Sequence, residues 1–250
     1  KYYFSAIYPN GVIVSDTTVV SNQPVIPSTI GVTSVTGNNE LEIGLGSVVS
    51  VCEGEQVMFY NFMSGSAYTW SSGDTGAFMI TSTPGSYYSL VQNTYGCWDT
   101  TNAFTLVNYA NPDTSVTVTG NMVYCQGSSV TLSAASGQSY MWNTGDTTQS
   151  ITATQAGSYY AVVTTSNGCS DTTATYTTSL YADPDTTVTA SQTIFCASES
   201  ATISAAGGYD YLWNTGDTTQ SITVNTAGGY YVTLTSSDGC SAASDTTMIT

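Results

Sequence analysis

Apolar and polar residues alternate along most of the chain in short runs, each bounded by turn residues such as Gly, Asn, Asp and Pro. A period of two places successive side chains on opposite faces of a β-strand, and the enrichment in Thr, Val, Tyr and Ser favours strands over helices. Within 110–181 such runs occur at 115–119, 130–134, 140–142, 150–154, 157–163 and 173–180. The pattern predicts six or seven short antiparallel strands, which is typical of a small β-sandwich.

One stretch centred on a tryptophan occurs three times. The sequence Tyr140-Met-Trp-Asn-Thr-Gly-Asp-Thr-Thr-Gln-Ser-Ile-Thr152 returns almost unchanged at 211–223, and a more divergent copy begins at Tyr68. Each Trp lies 17 residues before a Tyr, which in turn lies 10 residues before a Cys. Such fixed spacing indicates packed cores with the Trp inside, because a slip of one residue turns the side chains of a strand to the wrong face. The functional alternative is an exposed platform on which sugars stack.

The repeats predict tandem domains. Tyr2-Tyr3 leads to Gly11 and then to Ser-Asp-Thr-Thr in the same register in which Tyr159-Tyr160 leads to Gly168, so the sequence is expected to begin inside a repeat. The predicted boundaries are 1–26 for the C-terminal half of a preceding repeat plus linker, and 27–109, 110–181 and 182–250 for whole repeats.

The joins between the whole repeats are short and contain proline, at Ala110-Asn-Pro-Asp113 and Ala182-Asp-Pro-Asp185. Proline fixes the backbone dihedral φ and disfavours helix before it, so these joins are stiffer than a Gly/Ser linker. The predicted fold is therefore all-β, with tandem small antiparallel sandwiches arranged as a rod.

The six cysteines follow the same repeat. In each repeat the first cysteine opens a strand and the second follows a Gly-containing hairpin, so we expect both at one end of the same sandwich. Six cysteines allow fifteen connectivities in general. The repeat favours one of them, with a disulfide inside each repeat: Cys52–Cys97, Cys125–Cys169 and Cys196–Cys240. Disulfides of this kind imply an oxidising compartment and hence export.

The composition excludes several functions. The chain has 17 acidic residues, a single Lys and no Arg or His, which gives a net charge of −16. Binding of nucleic acid or of bare anionic lipid requires cations that the chain lacks, and no apolar run is long enough for direct membrane insertion. Without His, the Ser-His-Asp and Cys-His catalytic arrangements are impossible. The nearest carboxylate pair, Glu53 and Glu55, has no counterpart in the other repeats, so we predict no enzyme activity and no cofactor.

The tripeptide Asp-Thr-Thr recurs throughout the chain. An Asp that bonds its own backbone forms a turn, and the following Thr starts a strand, so a structural role explains much of the recurrence. An alternative is that the carboxylates bind calcium. The acidic residues do not cluster at the spacing of a known calcium loop, however, and no metal site is predicted. The motif begins at Asp16, Asp99, Asp146, Asp171, Asp185, Asp217 and Asp245.

The combined pattern Cys-x-Gly, Tyr-x-Trp-x-Thr-Gly-x-Thr-Thr-x-Ser-Ile, Gly-x-Tyr and Gly-Cys resembles the PKD-like or Ig-like repeats of large Bacteroidetes surface proteins. Gliding-motility adhesins and type IX-secreted proteins contain such repeats. The resemblance covers essentially the whole sequence, with departures at Cys196-Ala-Ser, Ser71-Ser72 and Met79. It implies Ig-like or PKD-like sandwiches in a protein that is secreted to the cell surface.

In that group, Asp-Thr followed by a small or aliphatic residue or Thr resembles the general O-glycosylation site. The resemblance implies that the first threonine of each motif carries a glycan, which would solvate sheet edges and hinder proteases. The alternative is the plain turn described above. The implied acceptors are Thr17, Thr100, Thr147, Thr172, Thr186, Thr218 and Thr246.

Each repeat also contains a Tyr-Tyr pair, of which one member must face outward. Continuity with the Gly-x-Tyr-x-Val alternation places Tyr88, Tyr160 and Tyr231 outside. An ordinary half-covered sheet surface explains such residues. The functional alternative is a lateral stripe that binds glycan or a neighbouring fibre.

These observations predict a non-catalytic structural or stalk segment of a long exported adhesin or filament, which provides length and stiffness. Its expected partners are neighbouring repeats of the same protein and, in addition, surface polysaccharide or like filaments. One alternative is a set of tandem carbohydrate-binding modules of a secreted hydrolase. Another is a self-assembling fibre subunit, in which strands of a neighbour complete the half-repeat at 1–22.

Overall fold

The computed structural model describes residues 6–7, 13–14, 30–34, 41–43, 47–61, 65–196 and 198–250. Every regular element in these residues is a β-strand, as the alternating pattern predicted. The chain forms two compact units, Lys1–Ala110 and Asn111–Thr250. Tyr2, Gly11 and Thr17, on which the half-repeat and one glycan acceptor were predicted, lie outside the described residues.

The first unit contains two packed sheets. One has the order β4-β3-β6-β8, and the other is built from β7, β10 and β11 together with β9, β12 and β5, where β5 runs parallel to β12. A separate pair is formed by β1 and β2. The strands are β1 (Ala6–Ile7), β2 (Ile13–Val14), β3 (Ile30–Ser34), β4 (Leu41–Ile43), β5 (Val48–Cys52), β6 (Val57–Asn61), β7 (Ala67–Trp70), β8 (Phe78–Thr81), β9 (Gly85–Tyr87), β10 (Ser89–Gln92), β11 (Trp98–Thr100) and β12 (Phe104–Tyr109).

The core of this unit lies between the two sheets. Phe59 from β6 stacks on Phe104 from β12, with ring centroids 4.0 Å apart, and Trp70 is 1% exposed beside them. Burying aromatic side chains of this size contributes several kcal/mol, at about 25 cal/mol per Å² of apolar surface. The inward positions alternate along β6 and β12, as a half-buried strand requires.

The second unit contains two sandwiches in sequence. The first has the strands β13 (Val116–Thr119), β14 (Val123–Tyr124), β15 (Val130–Ala134), β16 (Ser139–Trp142), β17 (Ser150–Ala153), β18 (Gly157–Tyr159), β19 (Ala161–Thr164), β20 (Ser170–Thr172) and β21 (Tyr176–Leu180). The second has β22 (Val188–Ala190), β23 (Ala201–Ala205), β24 (Asp210–Trp213), β25 (Ser221–Val224), β26 (Gly228–Tyr230), β27 (Val232–Thr235), β28 (Ser241–Ala243) and β29 (Thr247–Ile249).

The strand order identifies the fold. In 110–181 one sheet is β13-β15-β17, and the opposing strands are β16-β19-β20 and β18-β21-β14. Only Tyr160 separates β18 from β19, and only 173–175 separate β20 from β21, so these two groups form one side of the sandwich. All pairings are antiparallel except that of β14 with β21. This is the arrangement of an Ig-like β-sandwich. The strands β22 to β29 repeat its antiparallel pairings in 182–250.

Each sandwich has two ends that must be distinguished. The hairpin end carries the turn between β19 and β20, where Thr165 N donates to the carbonyl of Cys169 at 2.8 Å. The exit end is where the last strand leaves, and there the parallel pairing sets Tyr124 beside Leu180. The segment 170–180 runs from one end to the other. Because an extended chain rises about 3.3 Å per residue, the two ends lie roughly 35 Å apart.

Candidate functional site

The recurrent tryptophan lies in the core of every sandwich. Trp70, Trp142 and Trp213 are each 1% exposed. The indole Nε1 of Trp142 donates to the carbonyl of Thr148 at 2.8 Å, and that of Trp213 donates to Thr219 in the same way. These rings therefore offer no platform for sugars, and the prediction that they belong to the core is confirmed.

The turn after each tryptophan is held by its own polar side chains. The Trp142 N–H donates to the carbonyl of Asp146 at 2.8 Å, and Thr144 Oγ1 donates to Asp146 Oδ2 at 2.5 Å. Thr215 and Asp217 repeat this bond at 2.7 Å. Gly145 has a φ of 93°, which explains why glycine precedes the aspartate.

The asparagine after the tryptophan connects this turn to the tyrosine pair. Asn143 Nδ2 donates to the carbonyl of Ser158 at 2.8 Å, and Asn143 Oδ1 accepts from the N–H of Tyr160 at 3.1 Å. Asn214 makes the equivalent bonds to Gly229 and Tyr231. The fixed spacing between the Trp and Tyr motifs therefore has a direct structural cause.

The two threonines of Asp-Thr-Thr have different surroundings. At Asp171 the second threonine, Thr173, is 5% exposed, and its Oγ1 accepts the N–H of Ala161 at 3.0 Å. Thr101 does the same for Ser89 at 2.8 Å. At Asp146 the second threonine, Thr148, donates its hydroxyl to the carbonyl of Ser150.

The first threonine, in contrast, leaves its hydroxyl toward solvent. Thr172 uses only its backbone N–H, which donates to Asp171 Oδ1 at 2.7 Å, and Thr100 does the same with Asp99. Among the predicted acceptors within the described residues, Thr186 is half-buried. The exposed ones are Thr100, Thr147, Thr172, Thr218 and Thr246.

The motif at Asp245 differs from the others in position. Ser244, not a threonine of the motif, takes the place of Thr173, because its Oγ accepts the N–H of Val232 at 3.1 Å. In Asp171-Thr172-Thr173 the hydroxyl that accepts the strand N–H belongs to the motif. At Asp245-Thr246-Thr247 it belongs to the residue before the motif. The sequence motif recurs here at a different place in the fold.

The joins between repeats use aspartate as a turn acceptor. Asp113 Oδ1 accepts from the N–H of Ser115 at 2.9 Å, and Asp185 Oδ1 accepts from both the hydroxyl and the N–H of Thr187, at 2.6 and 3.0 Å. The backbone and side-chain hydrogen bonds of Ser115 lower the pKa of Asp113. The hydroxyl and then the backbone N–H of Thr187 lower the pKa of Asp185. Hydrogen bonds to a carboxylate favour its charged form.

The predicted cysteine pairing is wrong. Cys125 forms a disulfide with Cys240, with Cα atoms 5.3 Å apart, and not with Cys169. Cys52 and Cys169 each take part in a disulfide as well. Cys97 and Cys196, predicted to be bonded to Cys52 and Cys240, are free thiols with exposed side chains.

The error lies in the assumption that the two cysteines of a repeat share one end of the sandwich. Cys125 follows β14 at the exit end, beside Tyr181, whose N–H donates to the carbonyl of Tyr124 at 3.0 Å. Cys169 lies in the hairpin at the opposite end. A separation of roughly 35 Å is far beyond the Cα distance of 4.4–6.8 Å that a disulfide spans. The exit end of the first sandwich instead meets the hairpin end of the following sandwich, which carries Cys240.

The outward tyrosines are exposed as their alternation requires. Tyr88 and Tyr160 are 40% exposed and Tyr231 is 43% exposed, whereas Tyr159 and Tyr230 are buried. A shallow groove of about 360 Å³ lies beside the Asp146 turn, and Tyr159 is the one aromatic residue in its lining. The groove therefore has no exposed ring on which a sugar could stack.

The described residues contain no cluster of metal-binding side chains and no membrane-spanning helix. No three His, Cys, Asp or Glu side chains in that part of the chain lie close enough to share a metal ion. Nor do these residues contain a helix of the length and apolarity that crossing a bilayer requires.

No protein-family model and no curated protein sequence matches this chain. Among solved structures, it is similar to the ICAM-5 D1-D4 ectodomain fragment, at 12% identity and a TM-score of 0.37, over 90% of this chain and 84% of that one. Murine CEACAM1b has 11% identity and a TM-score of 0.24, over 88% of this chain and 98% of that one. The Bacteroides ovatus mixed-linkage glucan utilization protein SGBP-B, solved with a mixed-linkage heptasaccharide, has 12% identity and a TM-score of 0.22, over 88% and 70%. Similarity at this level carries no argument about function, and the fold rests on the strand order above.

Proposed function

We propose that the chain is a non-catalytic spacer segment of a long exported cell-surface protein, either an adhesin or a filament. The Cys125–Cys240 disulfide carries this proposal, because it fastens one sandwich to the next outside either core. Structural disulfides persist in oxidising compartments and are rare in the cytosol. A disulfide between domains limits their relative movement, which suits a protein whose role is to act as a spacer.

The polar residues of the repeats support a structural role over catalysis. Thr144, Asp146 and Asn143 form hydrogen bonds within their own turn or to the adjoining strand. Glu55, of the carboxylate pair Glu53 and Glu55, accepts the N–H of Cys52 through Oε2 at 3.0 Å. Groups held in this way shape turns and are not poised to exchange protons with a substrate.

The location is tested on cells that produce the protein. An antibody raised against residues 110–250 should label intact, unpermeabilised cells, and mild protease treatment of those cells should remove the label. An antibody against a cytosolic protein is the control for cell integrity. Labelling that appears only after permeabilisation would contradict the proposal.

We further propose that the exposed first threonines carry O-glycans. The support comes from 171–173, where Thr172 is exposed while its neighbour Thr173 is buried and hydrogen-bonded. Peptide mapping of the native protein should find sugar on Thr172 and none on Thr173. Peptides containing the predicted acceptor threonines whose masses all equal those of the bare sequence would rule out glycosylation.

The exposed tyrosines favour a second candidate function, lateral binding of surface polysaccharide or of like filaments. Tyr88, Tyr160 and Tyr231 recur once per repeat at nearly equal exposure. The triple variant Y88S/Y160S/Y231S should then lose binding to purified surface polysaccharide or to like filaments. The matched control Y95S/M141S/L212S removes three other exposed apolar side chains and should bind as wild type does. Equal binding by wild type and the tyrosine variant would contradict this function.

A further inference from the structure

Every whole repeat presents one cysteine at its exit end and one at its hairpin end. We call the first the exit cysteine and the second the hairpin cysteine. The exit cysteines are Cys52, Cys125 and Cys196, and the hairpin cysteines are Cys97, Cys169 and Cys240. In the one bond whose two partners both lie in the second unit, the exit cysteine of a sandwich joins the hairpin cysteine of the next.

The free cysteine Cys196 is held in the same turn as the bonded exit cysteines. Its carbonyl accepts the N–H of Glu199 at 3.0 Å, just as the carbonyl of Cys125 accepts the N–H of Ser128 at 3.0 Å. The Cys196 N–H donates to Glu199 Oε2 at 3.0 Å, and that of Cys52 donates to Glu55 Oε2 at the same distance. The N–H of Phe195 donates to the carbonyl of Thr250 at 3.1 Å, which places Cys196 at the exit end of its sandwich.

The free cysteine Cys97 likewise occupies the position of the bonded hairpin cysteines. Its carbonyl accepts the N–H of Asn93 at 2.9 Å, and the carbonyl of Cys240 accepts the N–H of Ser236 at 2.8 Å. Cys240, which is bonded, is 1% exposed, whereas the unbonded Cys97 is exposed. The backbone that presents the sulfur is thus the same, and only the partner differs.

We propose that Cys196 and Cys97 are the two open ends of a continuous series of disulfides between repeats. Cys196 would bond the hairpin cysteine of a further repeat of this type, and Cys97 would bond the exit cysteine of another. The partner is therefore a sandwich like those described, docked with its hairpin end on the exit end of 182–250. This inference deepens the proposed spacer function and rests on it only for the oxidising surroundings.

The chemistry of the bond is an ordinary thiol–disulfide exchange. The thiolate of one cysteine attacks an oxidised low-molecular-weight disulfide such as glutathione disulfide, which releases one reduced glutathione and leaves a mixed disulfide. The thiolate of the partner cysteine then attacks the protein sulfur and releases the second glutathione. Two protein thiols are oxidised and one glutathione disulfide is reduced.

The proposal is tested by extending the chain with a fourth repeat. The N–H of Thr250 donates to the carbonyl of Thr193, as that of Ser179 donates to Met122, so Thr250 corresponds to Ser179. A second copy of residues 180–250 fused after Thr250 therefore reproduces the natural join. The copy carries Ile194→Val and Asp238→Glu at two exposed positions, so that its cysteine peptides differ in mass from those of the original repeat. After refolding in glutathione buffer, free thiols are alkylated and the protein is digested with pepsin at acid pH, which prevents exchange.

In the original chain, Cys97 and Cys196 should be alkylated. In the extended chain, Cys196 should instead be linked to the appended copy of Cys240, and the appended copy of Cys196 should be alkylated. The control is the extended chain in which that copy of Cys240 is replaced by Ser, where Cys196 should become alkylated again. Alkylation of Cys196 in the extended chain with its cysteines intact, or its bonding to any other cysteine, would overturn the proposal.

A second measurement does not depend on folding of an added domain. C97S retains only Cys196 as a free thiol, and C196S retains only Cys97. In an equimolar mixture in glutathione buffer, disulfide-linked heterodimers should exceed the half of all dimers that random pairing gives. Random pairing, an excess of homodimers or the absence of heterodimers would contradict the preference of an exit cysteine for a hairpin cysteine. Both experiments measure only which cysteines are bonded to each other. Their results therefore do not depend on whether the protein acts at the cell surface.

Discussion

The phenolic hydroxyl of Tyr159 donates a 2.8 Å hydrogen bond to the backbone carbonyl of Gln155, four residues earlier. The hydroxyls of Tyr124 and Thr178 donate to the same oxygen, at 2.9 and 3.0 Å. Tyr230 makes the equivalent bond to Thr226 at 2.9 Å. This tyrosine corner, a feature of Ig-like sandwiches, fixes the chain where it enters strand β18.

Replacing Tyr159 by Phe removes this bond and keeps the buried ring. We expect a loss of about 1 kcal/mol in the free energy of unfolding, because two other donors still satisfy the Gln155 carbonyl. Denaturant titration of wild type and variant measures the difference. The control is Tyr160→Phe at the exposed neighbouring position, for which the change should stay below about 0.5 kcal/mol. Equal effects at the two positions would refute the corner's contribution.

The two threonines of 172–173 should respond in opposite ways to the same substitution. Thr173→Val leaves the buried N–H of Ala161 without its acceptor, which costs about 1–3 kcal/mol. Thr172→Val changes an exposed side chain on a strand and should leave stability nearly unchanged. Thermal unfolding of unglycosylated protein measures both. A larger loss for Thr172→Val would mean that the exposed hydroxyl has a structural role.

Ser198 occupies a position that otherwise requires glycine. Its φ is 81°, and the corresponding Gly54 and Gly127 have φ of 89° and 83°. A side chain in this left-handed region costs about 1–2 kcal/mol. Ser198→Gly should therefore raise the free energy of unfolding by about 1 kcal/mol, as measured by denaturant titration.

The reciprocal variant Gly127→Ser provides the control for this position. A Cβ at Gly127 meets no heavy atom within 4 Å, so the substitution introduces backbone strain without a steric clash. It should destabilise by about the amount that Ser198→Gly stabilises. A stabilising Gly127→Ser would show that the turn tolerates side chains and that Ser198 is unstrained.

The acid stability of the joins should depend on Asp113 and Asp185. Their pKa values are lowered in the folded protein, so their contribution to stability is present above the ordinary aspartate pKa and is lost as the pH falls through the lower folded value. The melting temperature of D113N/D185N should therefore fall less than that of wild type between pH 5 and pH 2. An identical pH dependence would contradict this.

The cause of one of these shifts can be isolated. Thr187→Ala removes the hydroxyl that donates to Asp185 at 2.6 Å and leaves the backbone N–H. NMR titration of the Asp185 carboxyl carbon should show its pKa rise part of the way toward 3.8. A pKa unchanged by the substitution would assign the whole shift to the backbone.

Alternation and spacing were sufficient to predict the strands, the buried tryptophans and the outward tyrosines, because each depends on side chains a few residues apart. The cysteine connectivity was not predictable in this way. It depends on the parallel pairing of β14 with β21, which joins residues 56 apart and decides at which end Cys125 lies. The sequence did contain one signal, the short apolar stretch that precedes each exit cysteine, such as Ile194-Phe195 before Cys196.

The Asp-Thr-Thr motif shows the same limit. Its seven copies look equivalent in sequence, yet Thr173 is locked in a strand pairing, Thr148 closes a turn and Thr247 belongs to β29. Ser244 performs the role of Thr173 from outside the motif. Short polar motifs arise wherever turns meet strands, so their recurrence alone does not assign one role to every copy.

The Cys125–Cys240 bond also decides which parts of the second unit bear tension. A pull applied between residues 111 and 250 passes along the backbone to Cys125, crosses the two sulfur atoms and continues from Cys240. The intervening stretch, which spans a sequence separation of 115 residues and holds most of both cores, is off the load path. Its roughly 400 Å of contour length is released only on reduction, so a single-molecule extension trace should gain a step of that size when reductant is added. Force that would unravel an unlinked pair of sandwiches thus reaches only their terminal strands.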